Sequence, residues 1–211
     1  MKRPGSKGEH NLQKKFKTEN RALAFYNTQL LNHLNPEMCR FIMGQEFVFI
    51  STADANGECD ASFRAGHAGF MEVLDENNLI FPEYRGNGVL ASLGNISENP
   101  HIGMVFIDFY QSSIGLHVNG TAEIFSNEEL ESDPDPSGKI KMALKKSGPR
   151  KPISWIKVRV EEAYIHCSKH IPRRQSSVSR KDPYSPNVQE YWEIAPSPMS
   201  PEPIPSIVPC Q

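Results

Sequence analysis

The chain has 211 residues, a formal net charge of −2 and a hydrophobic content of 38%. This length favours one main domain with appended segments, and the near-neutral charge gives no support for a nucleic-acid partner, which requires a strongly basic domain. Four scattered cysteines without a zinc or dithiol spacing, and the lack of an apolar stretch of about 20 residues, predict a soluble, cytoplasmic protein with no membrane partner.

The N-terminal segment is basic. Residues 1–17 carry six Lys or Arg and one Glu but few apolar groups. Such a composition buries too little surface to offset the entropy of ordering, so we expect a disordered basic tail over residues 1–17.

Helical periodicity starts at residue 18. Thr18 can cap a helix that runs to Leu34, and Pro36 can open a second, short helix. The apolar positions of the first helix are Leu23, Tyr26, Leu30, Leu31 and Leu34.

The next region has the pattern of strands. Asn56-Gly57 is a typical hairpin turn, residues 88–99 favour a helix that stops before Pro100, and residues 127–146 are polar and partly helical. The predicted strands cover residues 47–53, 59–66, 69–75, 77–84, 101–109, 113–125 and 153–167. A succession of antiparallel strands with few helices predicts a mainly β protein built on a small barrel.

The C-terminal segment is rich in proline, with nine prolines from Pro172 onward. This composition favours an extended, polyproline-like tail, which we assign to residues 175–211. The folded domain is then expected over residues 18–174.

Four segments of this domain resemble the pyridoxamine 5′-phosphate oxidase-like family of FMN-binding split barrels. They read FVFISTADANGECDASFRAG, LDENNLIFPEYRGNGVLASLGNISENPHIGMVF, LHVNGTAEIF and VEEAYIHCSKHIPR. The resemblance implies an antiparallel split β-barrel with flanking helices, a homodimer, and one FMN at each end of the dimer interface.

The resemblance also implies which residues contact the cofactor. They are Ser62, Arg64, Pro82, Glu83, Arg85, Asn87 and Lys169. Arg64 and Ser62 would share one face of a strand, and a glycine-containing loop leading into a helix would offer N–H groups to a phosphate. Val89 departs from the family, in which this position is often basic, so more of the phosphate charge would fall on Arg64 and Arg85.

Other candidate residues are weaker. His166 and Cys167 are residue types that bind metals, but adjacent residues of a strand point to opposite faces, so we expect no metal site. His67 could border the open face of the flavin, His117 could face the dimer interface, and Trp155 is expected to pack in the barrel.

The expected function is an FMN-dependent oxidoreductase that acts on an unknown small molecule, with NADH or NADPH as a possible electron donor. No catalytic residue stands out. The C-terminal stretch HCSKHIPRR lacks the Arg-x-His element of true pyridoxamine-phosphate oxidases, which argues against vitamin B6 oxidation. The alternatives are a non-catalytic flavin-binding or redox-sensing module, and a split barrel that binds haem or a deazaflavin.

Overall fold

The computed structural model describes residues 3–132, 137–148, 151–166 and 171–172, with only the backbone of His166. The expectations for Cys167, Lys169 and the proline-rich segment 175–211 concern residues outside this description. Within them, no helix is long and apolar enough to span a membrane.

Most of the basic N-terminal segment is helical, which corrects the prediction of disorder for the described residues of 1–17. Helix α1 covers Lys7–Phe16 and begins with a capping box, in which the Ser6 hydroxyl accepts from the Glu9 N–H and the Glu9 carboxylate accepts from the Ser6 N–H. Tyr26 on the next helix donates to Glu9 and accepts from Gln13. Capping and these contacts stabilise a helix that buries no residue of its own.

The next two helices begin where the sequence predicts, but the first of them ends earlier than predicted. Helix α2 covers Glu19–Thr28 and stops well before Leu34, and α3 covers Pro36–Gly44 after the Asn35 cap. The predicted extension to Leu34 is wrong because Leu31 exchanges backbone hydrogen bonds with Ala163 instead.

The described residues contain seven strands, which form one antiparallel sheet. They are β1 (Phe47–Ala53), β2 (Cys59–Ala65), β3 (Glu72–Asp75), β4 (Asn78–Glu83), β5 (His101–Ile107), β6 (Gly115–Phe125) and β7 (Ser154–His166). Their order in the sheet is β2-β1-β5-β6-β7-β4-β3, so β2 and β3 are the two edge strands. Helix α4 (Ala91–Glu98) lies between β4 and β5 in the chain, and α5 (Asn127–Glu131) and α6 (Gly138–Leu144) lie between β6 and β7.

The first hairpin turn differs in detail from the prediction. The Gly57 N–H donates to the Asp54 carbonyl, so Ala55 and Asn56 are the central turn residues and Gly57 follows with a φ of 85°. The Asp54 carboxylate accepts from the N–H groups of Asn56 and Glu58 and thereby fixes this longer loop.

One face of the sheet encloses the main core. Alternate residues of the central strands are buried there together with side chains of α3 and α4. Examples are Val48 and Ile50 on β1, Phe106 on β5 and Phe81 on β4. The sheet curls around this core while β2 and β3 remain its edges, which is the predicted split barrel with flanking helices.

A β-bulge in β7 requires a glycine on its neighbour. The register between β6 and β7 shifts between the pairs Asn119–Glu162 and Gly120–Val160, which leaves Glu161 as the extra residue. A Cβ at Gly120 would lie 2.0 Å from the Arg159 carbonyl oxygen. Only glycine allows the two backbones to approach this closely.

A second, smaller core lies on the opposite face of β4 and β7. Helices α5 and α6 cover it with Leu130, Ile140 and Leu144, which pack with Ile80 and Trp155. Trp155 is therefore buried outside the barrel, which corrects its predicted place inside, and its Nε1 donates to Asn127 at 3.0 Å. The mostly polar stretch between residues 127 and 146 thus supplies Leu130, Ile140 and Leu144 to the cluster that contains this indole.

Candidate functional site

The candidate site begins on the core-facing side of β2. Ser62 and Arg64 lie opposite Ile50 and Val48 of β1, both buried, so their side chains face the barrel interior. In the described part of the chain β2 is an edge strand, so one side of its backbone has no neighbouring strand. The predicted placement of Ser62 and Arg64 on one face is confirmed.

Arg64 forms an ion pair that the sequence did not predict. Its Nε donates to Oε2 of Glu83 at 2.8 Å, and the two side chains are only 18% and 12% exposed. Nη1 of the same guanidinium donates to the Ser62 hydroxyl at 2.6 Å and to the Phe63 carbonyl at 3.0 Å. Within the described residues Nη2 donates no hydrogen bond, so one nitrogen can still bind a ligand.

This ion pair connects the two ends of the sheet. Arg64 lies on the edge strand β2, and Glu83 ends β4, which is next to the opposite edge. Glu83 shares the inward face of β4 with the buried Phe81. The pair therefore bridges the opening of the split barrel, which is the gap between the edge strand β2 and the end of β4.

The glycine-containing loop follows Glu83 directly. Arg85 and Asn87 are exposed, and within the described residues Arg85 makes no ion pair, whereas Asn87 Oδ1 accepts from the Val89 N–H at 3.0 Å. Gly88 has a φ of 84°, a conformation that glycine adopts without strain. The loop therefore exposes the Arg85 cation close in the chain to Glu83.

Helix α4 begins immediately after this loop without a side-chain cap. Its N-cap residue, Leu90, has left-handed backbone angles and gives no side-chain hydrogen bond to the first turn. Because no side chain at the N-cap position bonds to them, the first N–H groups of α4 can donate to an anion as far as the described residues are concerned. Val89 and Leu90 expose 71% and 47% of their surface at this point.

Polar contacts that the sequence analysis missed anchor α4 to the sheet. The Ser92 hydroxyl donates to Asp60 of β2 at 3.4 Å, and Asn95 Nδ2 donates to the Thr52 hydroxyl at 3.1 Å. Asp60 and Thr52 are register partners on β2 and β1. An inward-facing polar residue in every second position of β2 was the available signal, since apolar residues would be expected there.

Pro82 and Glu83, which are also predicted to contact the cofactor, differ in which of their groups can reach a ligand. Pro82 is buried and pairs in register with Trp155, so its ring faces the second core and only its backbone can border a ligand. The Glu83 carbonyl already accepts from the Ile153 N–H at 2.8 Å. The structure thus brings Ser62, Arg64 and Glu83 into direct contact, with Arg85 and Asn87 in the adjoining loop.

The histidines of the described region do not converge on a metal site. No group of three or more His, Cys, Asp or Glu side chains there could hold a metal ion. His117 lies on the outer face of β6, where its ring stacks on Tyr164 with centroids 4.7 Å apart. Burial raises the pKa of Tyr164, as do the nearby carboxylates of Glu162 and Glu9. His67 is exposed in the loop after β2.

Comparison with known families identifies this architecture. Residues 34–167 match the family described as pyridoxamine 5′-phosphate oxidase. The chain belongs to the pyridoxamine 5′-phosphate oxidase family. The matched residues include the seven described strands and α4, and therefore every described residue of the candidate site. No curated protein sequence matches this chain.

Several solved structures are similar to it. HupZ of Group A Streptococcus is 20% identical with a TM-score of 0.45, covering 63% of this chain and 94% of HupZ. A putative pyridoxamine 5′-phosphate oxidase of Lactobacillus delbrueckii is also 20% identical with a TM-score of 0.45, covering 65% and 99% of the two chains. HutZ, the heme storage protein of Vibrio cholerae, is 14% identical with a TM-score of 0.40, covering 63% and 94%.

Proposed function

We propose that this member of the pyridoxamine 5′-phosphate oxidase family binds FMN, with the phosphate between β2 and the start of α4. The observation that carries the proposal is the inward-facing Arg64 beside Ser62, with Nη2 free of hydrogen bonds within the described residues. A guanidinium and a hydroxyl are donors suited to a phosphate.

The surrounding residues fit the rest of such a ligand. Arg85 adds a second cation, the uncapped α4 adds backbone N–H groups, and Asn87 adds an amide for the ribityl chain. We assign the backbone of Pro82 and Glu83 to the edge of the isoalloxazine ring, as the family resemblance implies. Lys169 stays in the proposed set on the same ground and lies outside the described residues.

Bound FMN supplies hydride and electron transfer, and the protein orients the cofactor and selects what reaches it. We therefore propose an FMN-dependent oxidoreductase that acts on a small molecule, with NADH or NADPH as the donor. The chain's own contribution would be to hold the phosphate at Arg64 and the ring beside the end of β4.

The absorption spectrum of the purified protein tests this proposal. Flavin bands that bleach on addition of NADH or NADPH are the expected result. If flavin bands are present but neither nucleotide bleaches them, FMN binding is supported and the proposal that NADH or NADPH is the electron donor is wrong. A Soret band without flavin would instead indicate haem and would contradict the proposal.

We further propose that the protein is a homodimer formed through an aromatic face, defined here as Phe47, Phe49, Phe63 and Phe109. These rings pack on one another on the side of β1 and β2 that faces away from the core. Phe49 and Phe63 nevertheless expose 44% and 53% of their surface. A second copy related by a twofold axis would cover the same patch on both subunits.

Sedimentation velocity tests the dimer with two matched variants. Phe63→Asp places a charge in the aromatic face and should give a monomer at micromolar concentration. Phe16→Asp changes a phenylalanine that is 67% exposed on α1, and should leave the dimer intact. A monomeric unmodified protein would rule out the dimer, and a dimeric Phe63→Asp variant would rule out this face as the interface.

We also propose a cytoplasmic location. Cys39 and Cys59 are both free thiols, as is usual in a reducing compartment. Cell fractionation tests this, and recovery of the protein from an oxidising compartment would contradict it.

A further inference from the structure

The Arg64–Glu83 ion pair has a consequence for which ligands the site accepts. Glu83 holds the same guanidinium that the proposed function assigns to the FMN phosphate. Both side chains are largely removed from water, so solvent screens the carboxylate poorly from a neighbouring anion. A bound phosphate and Glu83 must therefore share one cation.

The charges around the site reinforce this competition. Among the described residues, the cations of the site are Arg64 on β2 and Arg85 in the loop after β4, and the carboxylates are Asp60 on β2 and Glu83 on β4, so these four formal charges cancel. Asp60 lies against the first turn of α4, where Ser92 contacts it at 3.4 Å. A phosphate dianion thus enters a region without net positive charge from these side chains.

We propose that Glu83 is a specificity-determining residue that weakens the binding of phosphate dianions by competing for Arg64. The inference rests on the proposed FMN site. With Glu83 charged, part of the attraction of Arg64 is already satisfied, and a ligand with a dianionic phosphate gains less than it would from a free guanidinium. The pair keeps FMN exchangeable while it holds the barrel opening together.

The proposal predicts an unusual direction for a site mutation. Glu83→Gln keeps the length of the side chain and an oxygen that accepts from Arg64 Nε, but it removes the negative charge. FMN binding to the flavin-free protein should become about tenfold tighter, because the dianion no longer meets a poorly screened carboxylate. Riboflavin, which has no phosphate, should bind as it does to the unmodified protein.

The chain offers a matched control. Glu37 pairs with Arg40 at the same 2.8 Å on the exposed surface of α3, away from β2 and β4. Glu37→Gln removes the same charge from an ion pair of the same length and should change the affinity for neither ligand. Fluorescence titration of FMN and riboflavin against the three proteins, at one ionic strength, gives all six dissociation constants.

The outcomes separate this inference from the function on which it rests. Tighter FMN binding by Glu83→Gln alone, with riboflavin unchanged, supports the inference. If the unmodified protein binds FMN but Glu83→Gln binds it equally or more weakly, the inference is wrong and the FMN site stands. If the unmodified protein binds neither flavin, both are wrong. Should Glu83→Gln fail to fold, Glu83→Met, also uncharged and of similar length, is measured against the same outcomes.

Discussion

The two ion pairs of the described residues have the same length and very different surroundings. Arg64–Glu83 and Arg40–Glu37 both measure 2.8 Å between nitrogen and oxygen. The side chains of the first pair are 18% and 12% exposed, and those of the second are 67% and 72% exposed. The first joins strands at opposite ends of a sheet, whereas the second spans one turn of α3.

This comparison shows that distance alone does not decide what an ion pair contributes. An exposed pair is screened by water and must order two long side chains, so its net contribution is about 0–1 kcal/mol. Loss of one partner of a buried pair leaves an uncompensated charge away from water, which is far more costly. The three stability predictions below concern Glu83, Asp108 and Glu37, in order of decreasing burial and of decreasing expected loss of stability.

The largest effect is expected from Arg64→Ala. It leaves the Glu83 carboxylate without its partner in a mostly buried position, so the free energy of unfolding should fall by about 3 kcal/mol. Urea denaturation of the flavin-free protein measures this. A loss below about 0.5 kcal/mol would mean that the pair behaves like a surface pair despite its burial.

An intermediate effect is expected at Asp108, which makes no ion pair with any described residue but accepts four hydrogen bonds. Burial raises the pKa of Asp108, but hydrogen bonds from the N–H groups of Ser112, Gln111 and Tyr110 and from the Ser112 hydroxyl outweigh it and lower the pKa to about 2. Because the loop is largely exposed, Asp108→Asn should lose only about 1 kcal/mol at neutral pH.

The pH dependence of this loss has a definite sign. A carboxylate whose pKa is depressed by folding stabilises the protein above its unfolded pKa of about 3.9, and that stability disappears as the pH falls toward the folded value. The difference between the unmodified protein and Asp108→Asn should therefore be constant above about pH 5 and shrink toward pH 2. A difference that grows on acidification would contradict the hydrogen-bonding account of this loop.

The smallest effect is expected from Arg40→Ala. Its partner Glu37 stays hydrated, so the free energy of unfolding should change by less than about 0.5 kcal/mol. Measured beside Arg64→Ala in the same urea titration, it completes the comparison. Equal losses from the two variants would remove the distinction between the pairs.

The sequence predicted the strands well because their apolar residues alternate, as Val48 and Ile50 do on β1. It does not predict α1, although Ser6 and Glu9 form a capping box, because the low apolar content of this segment favours disorder. It also misplaced Trp155, since alternation separates the two faces of a strand but does not tell which face a pair of short helices will cover.

The sequence predicts the candidate site only in part, because alternation shows which face a side chain occupies but not which distant residue it contacts. The alternation of β2 correctly put Ser62 and Arg64 on one face. The ion pair with Glu83 depends on how the sheet curls to bring β2 near the end of β4, which is a tertiary property that no local pattern contains. The loop that carries Arg85 and Asn87 was identified from the family resemblance and its glycines.

The most direct test of the FMN site compares FMN with riboflavin in the Arg64→Ala variant, under conditions in which the variant is folded. The loss of one charge-assisted hydrogen bond to the phosphate, about 1.5–3 kcal/mol, corresponds to a roughly ten- to hundredfold loss of FMN affinity. Riboflavin has no phosphate, so its dissociation constant should stay the same within error. Equal losses for both flavins would mean that Arg64 supports the fold or the ring, and no loss for either would place the phosphate elsewhere.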